Sequence, residues 1–298
     1  MSKLYGILIT LSLIWGTSFL FIKLLLEDLP PAAVVFGRCF FGVILLFGIV
    51  LVKKDKVWRK DLPWGYIILV ALTNNVLPWF FISSSETSIS SSLASILNAT
   101  TPVWTLVIGS IFFKSVLNKF QWSGIFIGFL GIFLLSEFKI ADLQDGNMIG
   151  IMLMSLAAIC YGIGSQLTKK HLNDLTIMQI SFFTLLFSSI ISFIFVMITS
   201  AEAVSSLFHY ESLLPLLGLG SLGSGVAYLL YYYLVTKGSP EFASFVTYLA
   251  PISAIIWGAL LLKEQIHTSM LMGLIIIFIG VYISSIKVKG KKKQIAAD

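Results

Sequence analysis

Apolar runs about as long as a bilayer is thick recur along the whole chain, and they constrain its fold more than any other feature. Charged residues make up 11% of the sequence, against about 25% in soluble domains. They cluster between apolar stretches that approach the ~20 residues a membrane helix needs. A β-barrel would require alternating short strands, and these runs do not alternate. The sequence therefore predicts an all-α integral membrane protein.

The apolar segments predict ten transmembrane helices. Most connections between them are short, so neighbouring spans are expected to be antiparallel. The expected bounds are 4–23, 33–52, 64–83, 91–112, 121–137, 148–168, 177–199, 212–235, 242–262 and 268–287.

The basic residues predict the orientation of these spans. With the N-terminus inside, 16 basic residues fall in inside segments, whereas only Lys23, Lys139 and Lys263 fall outside. This bias predicts that both termini are cytoplasmic. The net charge of +6 is thereby explained by orientation signals, which also favour contact with anionic membrane lipids. No nucleic-acid partner is expected.

One stretch of the sequence occurs twice. Residues 94–136 reappear as 243–285, with ten identities over 43 positions. Matches of Pro and Gly are informative because these residues restrict or release the backbone, whereas apolar side chains are interchangeable. The matched pairs include Pro102 with Pro251, Gly109 with Gly258, Lys114 with Lys263, Gly124 with Gly273 and Gly131 with Gly280.

The repeat extends upstream and divides the chain into two halves. Trp15 and Lys23 align with Tyr161 and Lys169, and residues 74–79 align with 223–228. The predicted halves are 1–140 and 145–290, with five helices each, followed by a basic cytoplasmic tail at 291–298. Because five is an odd number, the second half must be inverted relative to the first. Inverted repeats are common in transporters, where the substrate site lies at the repeat interface.

Several motifs resemble a known family. The run Trp15-Gly16-Thr17-Ser18-Phe19 with Lys23, and Arg38 in the second span, resemble EamA-type members of the drug/metabolite transporter superfamily. Residues 94–102, 243–251 and 262–264 and the glycines at 273 and 280 resemble further signatures of that family. The resemblance implies ten helices in two inverted EamA repeats. It also implies export or exchange of small metabolites across a bacterial inner (plasma) membrane.

The sequence departs from this family pattern at one position. Ser115 stands where the second half carries Glu264. If that carboxylate caps a helix or closes a gate, the first half must do so differently.

Arg38 is the clear charge within a predicted span. A charge at the bilayer centre costs about 2.5–3.5 kcal/mol on insertion scales, so it is expected to serve substrate binding or gating. The alternative is that its long side chain reaches the headgroups or pairs with Glu27 or Asp28.

The third span carries two amides, Asn74 and Asn75, shortly before Pro78. Amides in hydrocarbon need partners, so these side chains are expected either to face a wet cavity or to bond a neighbouring helix. Trp79 would line the same pathway, and its repeat counterpart is Tyr228.

Pro102 and Pro251 are candidate hinges, because each proline frees a carbonyl one turn earlier in its helix. A static bend that improves packing is the alternative. Asn98, Thr101 and Tyr248 lie near these prolines and are further candidates for the substrate pathway.

The remaining pathway candidates are aromatic and small polar residues of the first, sixth and eighth spans. Individually such residues also serve packing. Together they predict a pocket with aromatic walls and neutral hydrogen-bonding groups, suited to a small zwitterionic or amphipathic metabolite such as an amino acid. They are Trp15, Ser18, Phe19, Tyr161, Ser165, Gln166, Tyr231 and Tyr232.

Glycines in the fifth and tenth spans lie at spacings that place them on one helix face. Small residues allow helices to approach closely. These two spans are therefore expected to be packing helices or the interface of a homodimer. The glycines are Gly124, Gly128, Gly131, Gly273 and Gly280.

No catalytic set, metal-ligand spacing or phosphate-binding loop is found in the sequence. Neither an enzyme nor a cofactor or metal site is expected. Two alternatives to a transporter stay open at this point. One is a channel, although no ring of charge is apparent. The other is an integral-membrane enzyme that uses the acids of the outer segments, namely Glu86, Glu137, Asp142, Asp145, Glu202 and Glu211.

The predicted orientation can be tested by cysteine labelling of intact cells. In a variant without Cys39 and Cys160, Glu202→Cys is expected to react with a membrane-impermeant maleimide, because it falls in an outer segment. Asp55→Cys is expected to react only after the membrane is permeabilised. The opposite pattern would invert the whole topology.

Overall fold

A computed structural model describes residues 2–89, 91–114, 117–135, 148–261, 268–284 and 286. This part of the chain is helical and contains no strand. The predicted tail 291–298, residues 262–264, Ser115, and the acids Glu137, Asp142 and Asp145 lie outside the described residues.

The helices follow the order of the predicted spans. Short helices Ala203–Ser206 and Pro240–Ser244 precede α8 and α9. The principal helices are α1 Ser2–Leu25, α2 Pro31–Lys53, α3 Trp64–Glu86, α4 Ser91–Asn98 continued by Thr101–Phe113, α5 Lys119–Leu135, α6 Met148–His171, α7 Ile177–Thr199, α8 Tyr210–Lys237, α9 Val246–Leu261 and α10 Thr268–Ser284.

Seven of these helices, α1 to α4 and α6 to α8, are long and apolar enough within the described residues to cross a membrane. The described lengths of α5, α9 and α10 are 17, 16 and 17 residues. These fall short of the ~20 residues of a typical span. The described residues therefore contain seven candidate membrane helices, and the expectation of ten stays a prediction.

Helices α2 and α7 are repeat counterparts and pack against each other in opposite directions. Phe36, near the start of α2, contacts Phe193 near the end of α7, with ring centroids 5.1 Å apart and ring planes tilted by 51°. Phe47 stacks on Phe182, with ring centroids 6.4 Å apart. Phe36 corresponds to Phe182 in the repeat, and Phe47 to Phe193, so the two contacts are reciprocal.

Helices α5 and α10 form a second antiparallel pair of counterparts. A Cβ atom added to Gly131 would lie 2.8 Å from the Gly273 carbonyl oxygen, and one added to Gly280 would lie 2.7 Å from that of Gly124. The backbones therefore touch where side chains would otherwise stand. The predicted glycine faces meet each other within the chain.

The other helix contacts are also paired across the two halves. Helix α1 packs on α9 and on α8, while α6 packs on α4 and on α3. Helix α2 contacts α8, and α7 contacts α3. This pattern is unchanged when each helix is exchanged for its repeat counterpart.

Both α3 and α8 contain a π-helical segment, at Leu72–Val76 and at Leu217–Val226. The two segments overlap at equivalent positions of the repeat. A π-helical turn inserts an extra residue and leaves backbone carbonyls without their usual partners, and it occurs often at functional sites. The sequence analysis did not anticipate these segments.

The two candidate proline hinges differ from each other. Helix α4 is interrupted between Asn98 and Thr101, and its second part begins at the turn that holds Pro102. Helix α9 runs from Val246 to Leu261 with Pro251 inside it. The second half also has a break, at Phe245 between Pro240–Ser244 and α9, so the difference is that Pro102 directly follows its break whereas Pro251 lies inside the helix that follows.

The contact between α5 and α10 can be tested with Gly131→Ala. The new methyl group would meet backbone atoms of Gly273 and Ile277 at 2.8 Å, so we expect a loss of about 1–3 kcal/mol of stability. Thermal unfolding in detergent measures it. Gly48→Ala is the matched control, because its Cβ would meet nothing within 4 Å. Equal melting temperatures for both variants would contradict the packing described.

Candidate functional site

A cavity lies between the two halves, at the level of residues midway along α1 and α6. Its walls come from α1 to α4 of the first half and from α6, α8 and the α9 region of the second. The lining residues are Trp15, Ser18, Phe19, Ile22, Arg38, Trp79, Ile82, Asn98, Thr101, Thr105, Tyr161, Tyr231, Ser244, Val246, Thr247 and Ala250.

The cavity is narrow in this conformation. The space open to the centres of water-sized molecules is about 40 Å³, whereas one water needs about 10–15 Å³ by the same kind of measure. A few waters therefore fit, but a metabolite does not. Binding of a larger molecule requires this space to widen.

Arg38 reaches into this cavity from α2. Its side chain is 3% exposed, and its guanidinium carbon lies 3.7 Å from the ring centroid of Trp79, in a cation–π contact. Its Nε donates a hydrogen bond to Ser224 Oγ at 3.1 Å. Among the described residues no carboxylate lies within 4.0 Å of it. The alternative pairing with Glu27 or Asp28 is thus not observed.

Two aromatic residues donate hydrogen bonds from one half to the π-helical segment of the other. Trp15 Nε1 donates to the Gly223 carbonyl at 3.0 Å, and the Tyr228 hydroxyl donates to the Asn74 carbonyl at 2.7 Å. Asn74 and Gly223 are equivalent positions of the repeat. Each half therefore provides a donor to the carbonyl at the equivalent position in the π-helical segment of the other half.

The aligned lysines of the two halves also make equivalent contacts. Lys23 Nζ donates to the carbonyl of Glu86, the last residue of α3, at 2.9 Å. Lys169 Nζ donates to the Thr236 carbonyl near the end of α8 at 2.7 Å. A lysine at a helix C-terminus satisfies carbonyls that lack a partner within the helix.

About half of the predicted pathway residues line the cavity. These are Trp15, Ser18, Phe19, Arg38, Trp79, Asn98, Thr101 and Tyr161. Tyr231, named with Tyr232, lies there as well. The structure thus brings together residues from four helices of the first half and two of the second.

The other predicted residues are not among the lining residues, and most of them bond neighbouring helices instead, whereas Ser165 donates to the Gly162 carbonyl of its own helix. Asn75 donates to Ser188 Oγ at 2.9 Å, and Gln166 donates to Glu241 Oε1 at 2.8 Å. The helix-bonding alternative, rather than the wet cavity, therefore describes Asn75. The full set away from the cavity is Asn74, Asn75, Ser165, Gln166, Tyr228, Tyr232 and Tyr248.

Tyr228 and Tyr248 illustrate why these residues lie elsewhere. Tyr228 lies edge-on to Trp79, with ring centroids 5.2 Å apart, and so stands behind the cavity wall. The Tyr248 hydroxyl donates to the Ile125 carbonyl at 3.1 Å and points toward α5.

Sequence reasoning missed several lining residues that follow a predicted one by a helical turn. Thr105 comes four residues after Thr101, and Ile82 comes three after Trp79. Positions three and four apart share a helix face, so this spacing could have identified them. Thr247 is the repeat counterpart of the predicted Asn98, and Ser244 lies in the 243–251 stretch that resembles the family signature, so the repeat and the motif could have identified these two residues.

The position of Glu86 differs from the expectation that it belongs to an outer loop. It is the last residue of α3, and its side chain is 0% exposed. Neither carboxylate oxygen has a hydrogen-bond partner among the described residues. The outer-surface acid proposed for an enzyme is thus buried in the protein.

Comparison with known proteins shows which family has this architecture. The sequence profile of the EamA-like transporter family matches residues 3–137 and again residues 148–286. The chain belongs to the EamA-like transporter family. It is accordingly a multi-pass membrane transporter and not an enzyme, as the motifs of the first and second halves indicated.

Two bacterial transporters are similar in sequence over most of their length. The chain is 24% identical to the uncharacterized transporter YoaV of Bacillus subtilis over 296 residues, covering 96% of this chain and 97% of that protein. It is 28% identical to the uncharacterized inner membrane transporter YedA of Escherichia coli K12 over 262 residues, covering 86% and 81%.

A solved crystal structure has the same fold. It superposes with a TM-score of 0.79 at 15% sequence identity and covers 96% of this chain and 97% of the other. At this identity the likeness concerns the fold alone.

The hydrogen bond between the halves can be tested with Tyr228→Phe. The variant keeps the ring but leaves the Asn74 carbonyl without its donor, so we expect a loss of about 0.5–1.5 kcal/mol of stability. Thermal unfolding in detergent measures it. Tyr210→Phe is the control, because Tyr210 is 88% exposed. An unchanged melting temperature for Tyr228→Phe would show that this contact contributes nothing.

Proposed function

We propose that this EamA-family protein is a secondary-active or facilitative transporter of small metabolites, such as amino acids or related amphipathic compounds. It exports or exchanges them by alternating access. The observation that carries the proposal is the cavity that both halves line, with aromatic walls and hydroxyl and amide groups. Most small-molecule sites combine apolar walls with a few placed polar groups.

The reciprocal contacts between the halves support alternating access. In transporters with inverted repeats, opening to one side and then to the other requires only that the halves exchange conformations. The antiparallel pairings of α2 with α7 and of α5 with α10 agree with that arrangement. The matched π-helical segments give α3 and α8 equivalent places to bend.

The small volume of the cavity supports a binding site with alternating access rather than an open pore. A channel needs a continuous polar path across the membrane. Here the central space admits only a few waters, and Arg38, Trp79 and Trp15 occupy its walls. Transport through it therefore requires a conformational change in every cycle.

The proposed location is a bacterial inner membrane with both termini in the cytoplasm. The distribution of basic residues supports the orientation. The similarity to YedA, an inner membrane transporter, supports the location in the inner membrane. The proposed partners are a small-molecule substrate and the surrounding lipids. A homodimer, if formed, would use a surface other than the glycine faces of α5 and α10, because these contact each other.

The transport proposal is tested with purified protein in liposomes. Vesicles preloaded with each of a panel of unlabelled amino acids are expected to accelerate uptake of the corresponding labelled compound, because an alternating site exchanges its cargo. Ser18→Leu is expected to lower the exchange rate at least tenfold, since Ser18 lines the narrow cavity. Ser155→Leu, on the outer side of α6 in a separate groove, should retain it. Absence of exchange for every compound with folded protein would refute the proposal.

A further inference from the structure

The helices α4, α5 and α6 enclose a groove at the protein surface, separate from the central cavity. About 460 Å³ of it is open to the centres of water-sized molecules, against about 40 Å³ in the cavity. Its walls are mainly aromatic and include Trp104 of α4 and Trp122, Phe126 and Phe129 of α5. The three α5 side chains are exposed. An apolar groove of this kind on a membrane protein is accessible to the acyl chains of phospholipids.

The groove ends at a lysine on α5. Residues 119, 122, 126 and 129 lie three or four positions apart, so Lys119 shares one helix face with the three aromatic residues of the groove. Lys119 is also the first residue of α5. The aromatic stripe therefore leads from the middle of the helix to a cation at its end.

The ends of α4 and α6 add two more lysines at the same level. Lys114 follows directly after the last residue of α4, Phe113. Lys170, in the last turn of α6, has its Nζ 5.4 Å from the ring centroid of Phe113. Each of the three helices that form the groove therefore carries a lysine at this end.

The length of the groove matches one leaflet of a bilayer. Phe129 lies about 15 Å along α5 from Lys119, at 1.5 Å per residue. The hydrocarbon core of a bilayer is about 30 Å thick, so the groove reaches from the lysines to about the midplane. A phospholipid has the same layout, with its headgroup at the membrane surface and its acyl chains extending to the midplane.

The positive charge favours an anionic headgroup. Within the described residues none of the three lysines forms an ion pair. The helix dipole stabilises Lys114 and Lys170 at helix C-termini but opposes Lys119, which stands at a helix N-terminus. The first turn of α5 holds no acidic residue that would offset this charge. An external anion would compensate all three lysines.

The backbone of Lys114 provides a further observation. Its φ is 55°, in the left-handed region that glycine adopts without strain. Glycine is the usual residue after the end of a helix in this conformation. The chain therefore has a cation where the backbone alone would favour glycine.

We propose that the groove between α4, α5 and α6 is a binding site for an anionic phospholipid. Its phosphate contacts Lys114, Lys119 and Lys170, and one acyl chain lies along the aromatic stripe of α5. In the proposed orientation this lipid belongs to the cytoplasmic leaflet, where basic pockets between membrane helices bind anionic headgroups. The inference is independent of the compound that the central cavity carries.

A second copy of the chain is the alternative occupant of the groove. In a two-fold symmetric dimer the same surface of both copies meets itself. The two sets of lysines would then face each other at the same membrane level, and their repulsion would oppose the contact. A stable dimer that retains no phospholipid in native mass spectrometry would nevertheless overturn the lipid assignment.

The first test measures thermal stabilisation of the delipidated full-length protein in detergent. Dioleoyl phosphatidylglycerol is expected to raise the melting temperature more than dioleoyl phosphatidylcholine at the same concentration, because only the first carries a net negative charge. Glycerol phosphate, an anion without acyl chains, should give no shift at that concentration. Equal shifts from the two lipids would overturn the proposal, as would a shift from glycerol phosphate equal to that from phosphatidylglycerol.

Substitution of the lysines tests the headgroup contacts. A lysine near an anionic lipid contributes about fivefold in affinity. Lys114→Gln and Lys119→Gln are therefore each expected to weaken binding of phosphatidylglycerol about fivefold, and the double variant at least tenfold, in titrations of the thermal shift. The matched control is Lys54→Gln/Lys56→Gln, which removes two charges on the same predicted side of the membrane and includes Lys54, with a φ of 54°. Equal weakening by both double variants would refute a defined site.

Tryptophan fluorescence tests the position of the acyl chain, because bromine on an acyl chain quenches an indole that it contacts. A small fraction of brominated phosphatidylglycerol in phosphatidylcholine vesicles is expected to quench the protein more than the same fraction of brominated phosphatidylcholine. The excess should be lost in Trp104→Phe/Trp122→Phe and kept in Trp58→Phe, whose indole is exposed outside the groove. Excess quenching that survives Trp104→Phe/Trp122→Phe would refute the site.

Lipid binding and transport fail in distinguishable ways. Ser18→Leu, which is expected to lower exchange, should keep the preference for phosphatidylglycerol because Ser18 lines the central cavity. Absence of exchange together with an intact lipid preference would refute the transport proposal alone. Exchange by a protein that binds both lipids equally would refute this site alone.

Discussion

Backbone polar groups that leave the regular helix ladder inside a membrane must find partners within the protein, and this constraint explains how the two halves are joined. The π-helical segments of α3 and α8 release carbonyls that lipid cannot satisfy. Trp15 and Tyr228 supply the donors, each from the opposite half. The irregular turns therefore act as contacts between helices of the two halves. A movement at the cavity wall that displaces Trp15 would break its hydrogen bond to the Gly223 carbonyl of α8.

The need for partners inside the protein applies to the charged side chain of Arg38 as well. A guanidinium in an apolar interior needs compensation, and here it receives an aromatic face and one hydroxyl but no carboxylate from the described residues. The arrangement fixes the group without neutralising it. The buried Glu86, at the end of α3, adds a second group whose charge the interior opposes.

Reciprocity between the halves extends from helices to single atoms. The phenylalanine contacts of α2 with α7, the glycine contacts of α5 with α10, and the lysine contacts at the ends of α3 and α8 all recur in both halves. The departure is at the prolines: both halves have a break before the proline, but Pro102 lies in the first turn after its break, whereas Pro251 lies further inside α9.

The sequence by itself determined the membrane class, the repeat and the residue types of the cavity, because apolar length, Pro and Gly matches and a charge within a span are local properties. It named Trp15, Arg38, Trp79, Asn98 and Tyr161 as pathway candidates, and the structure has them in the lining of the central cavity. Only the tertiary structure decided that Asn75, Gln166 and Tyr248 bond other helices, and that Glu86 is buried. Helical periodicity fixes which residues share a face, but which neighbour that face meets depends on packing between segments distant in the chain. The π-helical turns were hidden for the same reason, since the donors that stabilise them lie in the opposite half.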